Sequence, residues 1–176
     1  MAVTGAGFAP GDPIELETTL GNAFGSATAD ADGNIETLMT APALATNDLP
    51  AESAFTLTAT DPLHPLAVTP TTRFLVANLA VEARPANALP GTRVTWTFSG
   101  FTTGAKIYGH YLHGTKVTAT ATFGRATGPC GVLKVKALVY PGHEKYGSYK
   151  IQIDDSRRYS PRTVPRWLGK LLQIRR

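Results

Sequence analysis

The sequence has one cysteine, Cys130, so no intramolecular disulfide can form. The lack of a disulfide framework leaves the compartment open, because larger secreted β-domains manage without one. Charged residues are few, at 17%, against about a quarter in an ordinary globular protein. The shortage is also lopsided. Residues 1–77 hold a single base, Arg73, against nine acids, a net charge of −8; residues 78–176 hold sixteen bases against four acids, a net +12. No apolar run approaches the roughly 18 residues that a membrane helix needs. Residues 1–20 lack the basic start and apolar run of a secretory signal. No Gly-x-Ser-x-Gly, phosphate-cradling loop or paired catalytic carboxylate motif occurs, so the sequence points to no enzyme and calls for no cofactor.

The chain does contain a repeat. Ala6-Gly7-Phe8-Ala9-Pro10-Gly11, with Ile14 beyond it, returns as Ser99-Gly100-Phe101-Thr102-Thr103-Gly104 with Ile107, an offset of 93 residues. Phe55-x-Leu57-x-Ala59-x-Asp61 returns as Tyr149-x-Ile151-x-Ile153-x-Asp155 at an offset of 94, and Arg73-Phe74-Leu75 as Arg166-Trp167-Leu168 at 93. This period is too long for a solenoid repeat and suits a small β-domain. The expected domains are 1–77, acidic, and 78–176, basic.

Period-two alternation marks the strands. Ile14 and Leu16 face inward with Glu15 and Glu17 outward; Phe55, Leu57 and Ala59 oppose Thr56, Thr58 and Thr60. In the second copy Val117, Ala119, Ala121 and Phe123 oppose Thr118, Thr120 and Thr122. Leu133, Val135 and Ala137 oppose Lys134 and Lys136, and Tyr149, Ile151 and Ile153 oppose Lys150 and Gln152. One buried and one wet face per strand predicts antiparallel sheets packed as a sandwich. Seventeen glycines and thirteen prolines sit between these runs. Asp32-Gly33 and His113-Gly114 read as hairpin turns, and Pro90-Gly91 as the turn between a strand at 79–83 and one at 94–98. Only seven residues precede Phe8, so relative to its repeat the first copy lacks about one strand and its turn. The expectation is a chain that continues a longer protein, with any secretory signal upstream.

At this point Val3-Thr-Gly-Ala-Gly-Phe-Ala-Pro-Gly11, Ala29-Asp-Ala-Asp-Gly33 and Phe55-x-Leu-x-Ala-x-Asp61 resemble bacterial immunoglobulin-like modules, which occur in tandem on secreted and cell-surface proteins. The resemblance covers nearly the whole chain. It implies an all-β fold of two tandem immunoglobulin-like antiparallel β-sandwich domains, the first without its N-terminal strand. It also implies a secreted or surface location and a role as a spacer, adhesive or carbohydrate-associated module. The same pieces are similar to the enediyne-binding apoproteins of the neocarzinostatin type. Those rely on disulfides that a single cysteine cannot make, which argues against a chromophore carrier.

Several groupings invite a chemical reading. His110-Tyr-Leu-His113 and His143-Glu144 have metal-like spacing, but on a strand i and i+3 point to opposite faces, and the histidines are expected at the surface. Asp30-Ala-Asp32-Gly33-Asn34-Ile35-Glu36 carries the carboxylates of a calcium loop without its register. No metal site is therefore assigned. Cys130 lacks an assignable base and reads as an idle thiol. What remains is the basic half. Lys134, Lys136, Lys150, Arg157, Arg158, Arg162 and Arg166 are the candidate contacts for an anionic ligand, with Tyr108, Tyr111, Tyr146 and Tyr159 interleaved. The expected partner is an anionic wall polymer or acidic glycan, or else the acidic first domain itself; no nucleic-acid motif is present. The alternative is a small-molecule or glycan-binding domain using Tyr108, Tyr111 and Tyr146.

Overall fold

The computed structural model describes residues 1–19, 23–42, 44, 49–65, 70–86, 88–89, 91–141 and 147–174. It is all-β, with thirteen strands and no helix among the described residues. Two compact units emerge: Met1–Ala43 with Ser53–Val76, and Leu44–Glu52 with Ala77–Arg176. Asn78 ties the segment Leu44–Glu52 into the second unit. Its Nδ2 donates to Leu49 O at 2.7 Å, and its Oδ1 accepts from the Ala51 amide at 2.9 Å.

The first unit is a β-sandwich of two sheets. β1 (Ala2–Ala6) pairs antiparallel with β4 (Asn34–Leu38), and the facing sheet runs β3 (Ala23–Thr28), β2 (Pro13–Thr18), β5 (Glu52–Thr60), β6 (Thr71–Ala77). The alternation places Ile14, Leu16, Ile35 and Leu57 inside, with Ile14 and Leu16 fully buried. Each such side chain is worth about 1.5–3 kcal/mol relative to exposure.

The second unit repeats this plan with one strand more. β8 (Arg93–Ser99) lies between β7 (Ala80–Arg84) and β11 (Leu133–Leu138); the facing sheet runs β10 (Lys116–Arg125), β9 (Lys106–His113), β12 (Gly147–Asp154), β13 (Arg166–Ile174). Its core holds an aromatic stack. Phe123 sits 5.1 Å from Trp96 and 4.9 Å from Phe98, centroid to centroid, in tilted geometries that are favourable beyond their buried area.

The repeat extends to individual backbone hydrogen bonds. Phe8 N donates to Gly33 O as Phe101 N donates to Gly131 O; Gly11 N meets Ala29 O as Gly104 N meets Ala126 O. Gly33 (φ 73°) and Gly131 (φ 58°) sit where a Cβ would lie 2.3 Å and 1.7 Å from the carbonyl oxygens of Phe8 and Phe101. Only glycine fits there. The repeated motif is thus a backbone clamp that joins one sheet to the other.

The structure corrects four local expectations. Asp32-Gly33 is not a hairpin turn, because β3 pairs with β2 while β4 pairs with β1. The turn instead carries the chain from one sheet to the other, and Asp30 Oδ1 holds it by accepting the amides of Asp32 (2.9 Å) and Asn34 (2.8 Å). Gln152 and His110 are on outward-pointing positions but are buried, 1% and 0% exposed, because the segment 155–165 folds back over them. Tyr111 is not a surface residue: it lies in the core against Tyr140, ring centroids 5.2 Å apart.

Candidate functional site

The outer face of the β10-β9-β12-β13 sheet is where the second unit departs from a plain sandwich. His110 on β9 and Gln152 and Asp154 on β12 line up across neighbouring strands, Gln152 opposite His110. On an open sheet they would be solvated. Here residues 155–165 form a strap across them, and every polar group must find a partner. His110 Nε2 lies 3.0 Å from Ser156 O, so it carries a proton, since a carbonyl can only accept; Nδ1 lies 3.3 Å from Thr120 Oγ1. Gln152 Nε2 donates to Asp154 Oδ2 at 2.5 Å and to Ser160 O at 2.7 Å. Asp154 Oδ1 accepts the Ser156 amide at 2.9 Å and lies 3.4 Å from His110 Nε2.

The strap positions Tyr159, whose ring meets His110 edge-on at 5.7 Å. Beside it opens a hollow of about 420 Å³ lined by Leu112, Lys150, Gln152, Tyr159, Arg166 and Leu168. Lys150 and Arg166 are exposed, and among the described residues neither has a carboxylate within ion-pair distance. The floor is apolar, with one rim aromatic and two free cations. This is a set of groups suited to a sugar or polyol face bearing negative charge.

Of the other expected contacts, Arg157, Arg158 and Arg162 are exposed on the strap itself. Lys134 and Lys136 are exposed on β11, in the other sheet of the sandwich. The cations therefore fall into two groups rather than one band. Tyr108 is half-buried on β9. His143, Glu144, Tyr146, Arg175 and Arg176 lie outside the described residues. The Tyr108/Tyr111/Tyr146 surface of the alternative reading fails at Tyr111. Tyr159 is the aromatic residue that reaches the hollow. Cys130 is buried, and its thiol is pushed up by burial and by the charge and hydrogen bond of Glu52.

The first unit contains a cluster that sequence spacing could not reveal. His64 Nδ1 lies 2.7 Å from Asp12 Oδ2 and 3.0 Å from Asp61 Oδ2, at the mouth of a cleft of about 310 Å³. The hydrogen bond and charge of Asp61, then the charge of Asp12, hold His64 above its usual value. Burial pushes Asp61 up, but the His64 hydrogen bond and the amides of Leu63 and His64 outweigh it and leave the carboxyl below its usual range. The three ligand atoms lie within 4.8 Å of one another. They are one short of the four ligands of a structural zinc site, and His64 Nδ1 already serves both carboxylates. In the second unit Ala105 stands at the position of Asp12, while Asp155, in place of Asp61, accepts Thr102 Oγ1 at 2.7 Å. The cluster is not part of the repeat.

Fold and sites together describe tandem β-sandwich units whose shared residues are backbone clamps and whose polar sites are not shared. Neither a family model nor a curated protein matches the sequence. Among solved structures the chain is similar to the crystal structure of a tetra-tandem repeat in the extending region of a large adhesion protein. The match has 13% identity over 97% of this chain and a TM-score of 0.34. This chain spans 45% of that one. At that level of likeness the functional reading rests on the residues described above.

Proposed function

We propose that the chain is a non-catalytic structural and interaction module of a secreted or cell-surface bacterial protein, built of two immunoglobulin-like units. The basic unit holds an anionic wall polymer or acidic glycan. The observation that carries this reading is the convergence of Lys150 and Arg166 on one apolar hollow beside Tyr159. A further point supports it: what the two units share is the clamp that joins their sheets, which suits a spacer.

The test is binding of the full chain to an anionic wall polymer, an acidic glycan, DNA and a neutral glycan, each at low and high salt. K150A/R166A is compared with K134A/K136A, which removes equal charge from the other sheet. The reading predicts a preference among polyanions that survives moderate salt, lost in K150A/R166A and kept in K134A/K136A. Equal weakening by both pairs, with binding to every polyanion vanishing as salt rises, would reduce the interaction to charge attraction.

A further inference from the structure

The cluster of Asp12, Asp61 and His64 is chemistry that the sandwich does not need in order to close. The second unit closes with Ala105 in place of Asp12, and its Asp155 is engaged by Thr102. In the first unit two carboxylate oxygens and an imidazole nitrogen lie within 4.8 Å of one another, and these are donor types that hold divalent transition ions. We propose that Asp12, Asp61 and His64 form a binding site for a divalent transition-metal ion of the zinc class, with water completing its coordination.

Each ligand is aimed by backbone that the fold already fixes. Asp12 follows the clamp at Gly11, and its own carbonyl accepts the Ala29 amide at 3.0 Å. Asp61 directly follows β5. Its Oδ1 accepts the amides of Leu63 and His64 at 2.9 and 3.2 Å, which leaves Oδ2 for the site. Outer hydrogen bonds of this kind orient a ligating carboxylate. The same turn brings His64 back over Asp61, the His64 amide also donating to Asp61 O at 3.2 Å.

A proton satisfies this arrangement only in part. A carboxylate can only accept, so Nδ1 carries hydrogen and donates it to Asp61 Oδ2 at 3.0 Å. Asp12 Oδ2 lies nearer the same nitrogen, at 2.7 Å, yet this buried atom has no hydrogen bond among the described residues, and a buried acceptor in that state is costly. An ion placed among the three atoms serves them all. From the imidazolium form, the Nδ1 proton leaves for solvent, the lone pair goes to the ion and Nε2 keeps its hydrogen. The ring is 56% exposed, so water reaches it. Zinc bonds of about 2.0–2.2 Å set tetrahedral ligand atoms roughly 3.3 Å apart, so Nδ1 need only draw back by about 0.3–0.6 Å. Three protein ligands fall short of a closed structural site and make an open one, with water in the fourth position. The imidazole selects against calcium and magnesium, which take oxygen ligands.

The experiment uses the full chain stripped with a chelator, into which zinc or calcium is titrated by calorimetry and cobalt(II) by NMR. One equivalent of zinc should bind with a roughly micromolar or tighter dissociation constant, weakened about tenfold or more by Asp12→Asn and by His64→Ala. Cobalt(II) should broaden the His64 ring signals before those of the other three histidines. That readout uses the unaltered chain and decides the matter even where a variant fails to fold. Zinc should also raise the melting temperature of the first unit, while the fluorescence transition of the second, which holds both tryptophans, stays in place. Three results would each overturn the proposal: no saturable binding at submillimolar zinc, zinc binding undiminished in either folded variant or cobalt broadening centred on another histidine, or calcium bound as well as zinc and kept in His64→Ala. The last would leave two carboxylates attracting any cation.

Discussion

Gly33 and Gly131 are the residues on which both sandwiches close. Each adopts a left-handed backbone, and each has a carbonyl oxygen where a Cβ would stand. Gly33→Ala and Gly131→Ala should each cost at least ~2 kcal/mol, since strain and collision act together. Gly7→Ala or Gly11→Ala, at positive φ but with open space around the added atom, should cost about 1 kcal/mol. Urea midpoints of the four variants measure the difference. The positive φ at these turns was legible from the Gly-rich motifs. The direction of the turn at Gly33 was not, because Asp-Gly chemistry is the same whether the next strand pairs with the last or crosses to the other sheet. His64 gives a second prediction at this scale. Its folded value is raised above the usual 6.5, so its contribution to stability is complete below that pH and is lost as pH rises through the folded value. Asp61, lowered from 3.8, contributes above that pH and loses its effect as pH falls through its folded value. The first unit should therefore be most stable between the two and weaken on the alkaline side. NMR titration of the His64 ring should show the raised midpoint, and His64→Ala should flatten the alkaline decline in melting temperature. Asp12 and Asp61 are 49 residues apart and meet only in the folded unit, so no spacing rule announces them.

At the scale of elements, the strands were legible and the strap was not. Inward and outward positions on β2, β10 and β11 follow from alternation alone. The same rule placed Gln152 in water because it knows only the strand's own two faces. It has no information about a coil that returns over one of them. The strap carries no periodicity, and its hold on the sheet runs through backbone carbonyls at Ser156 and Ser160, which every residue possesses. Gln152→Leu tests this element. It removes the donor that Asp154 Oδ2 and Ser160 O share, leaving a buried carboxylate short of a partner, and should cost about 1–3 kcal/mol. Faster amide exchange should follow within 156–163. Because the strap holds Tyr159 at the hollow, polyanion affinity should fall in the same variant while the first unit melts unchanged.

For the whole molecule, the two units share a plan but not a core. Among the described residues the second has fifteen buried apolar side chains in its core and the first has six, so the first should unfold at the lower temperature or urea concentration. Intrinsic fluorescence follows the second unit selectively, since Trp96 and Trp167 both belong to it. Its transition should come later than the overall change in β-structure seen by circular dichroism. The charge division, acidic then basic, was plain in the sequence and drew attention to the second unit. Its surface arrangement depends on which sheet each strand joins. Lys134 and Lys136 alternate like Lys150, yet β11 and β12 lie in opposite sheets of the sandwich.

The central claim is that the second unit binds through a built hollow and not through charge at large. The most direct measurement is an amide chemical-shift titration of the labelled full chain with a short acidic oligosaccharide at moderate salt. Saturable shifts confined to the neighbourhood of Lys150, Tyr159 and Arg166–Gly169 are predicted. Small, unsaturated shifts spread equally over Lys134, Lys136 and the strap arginines would contradict it.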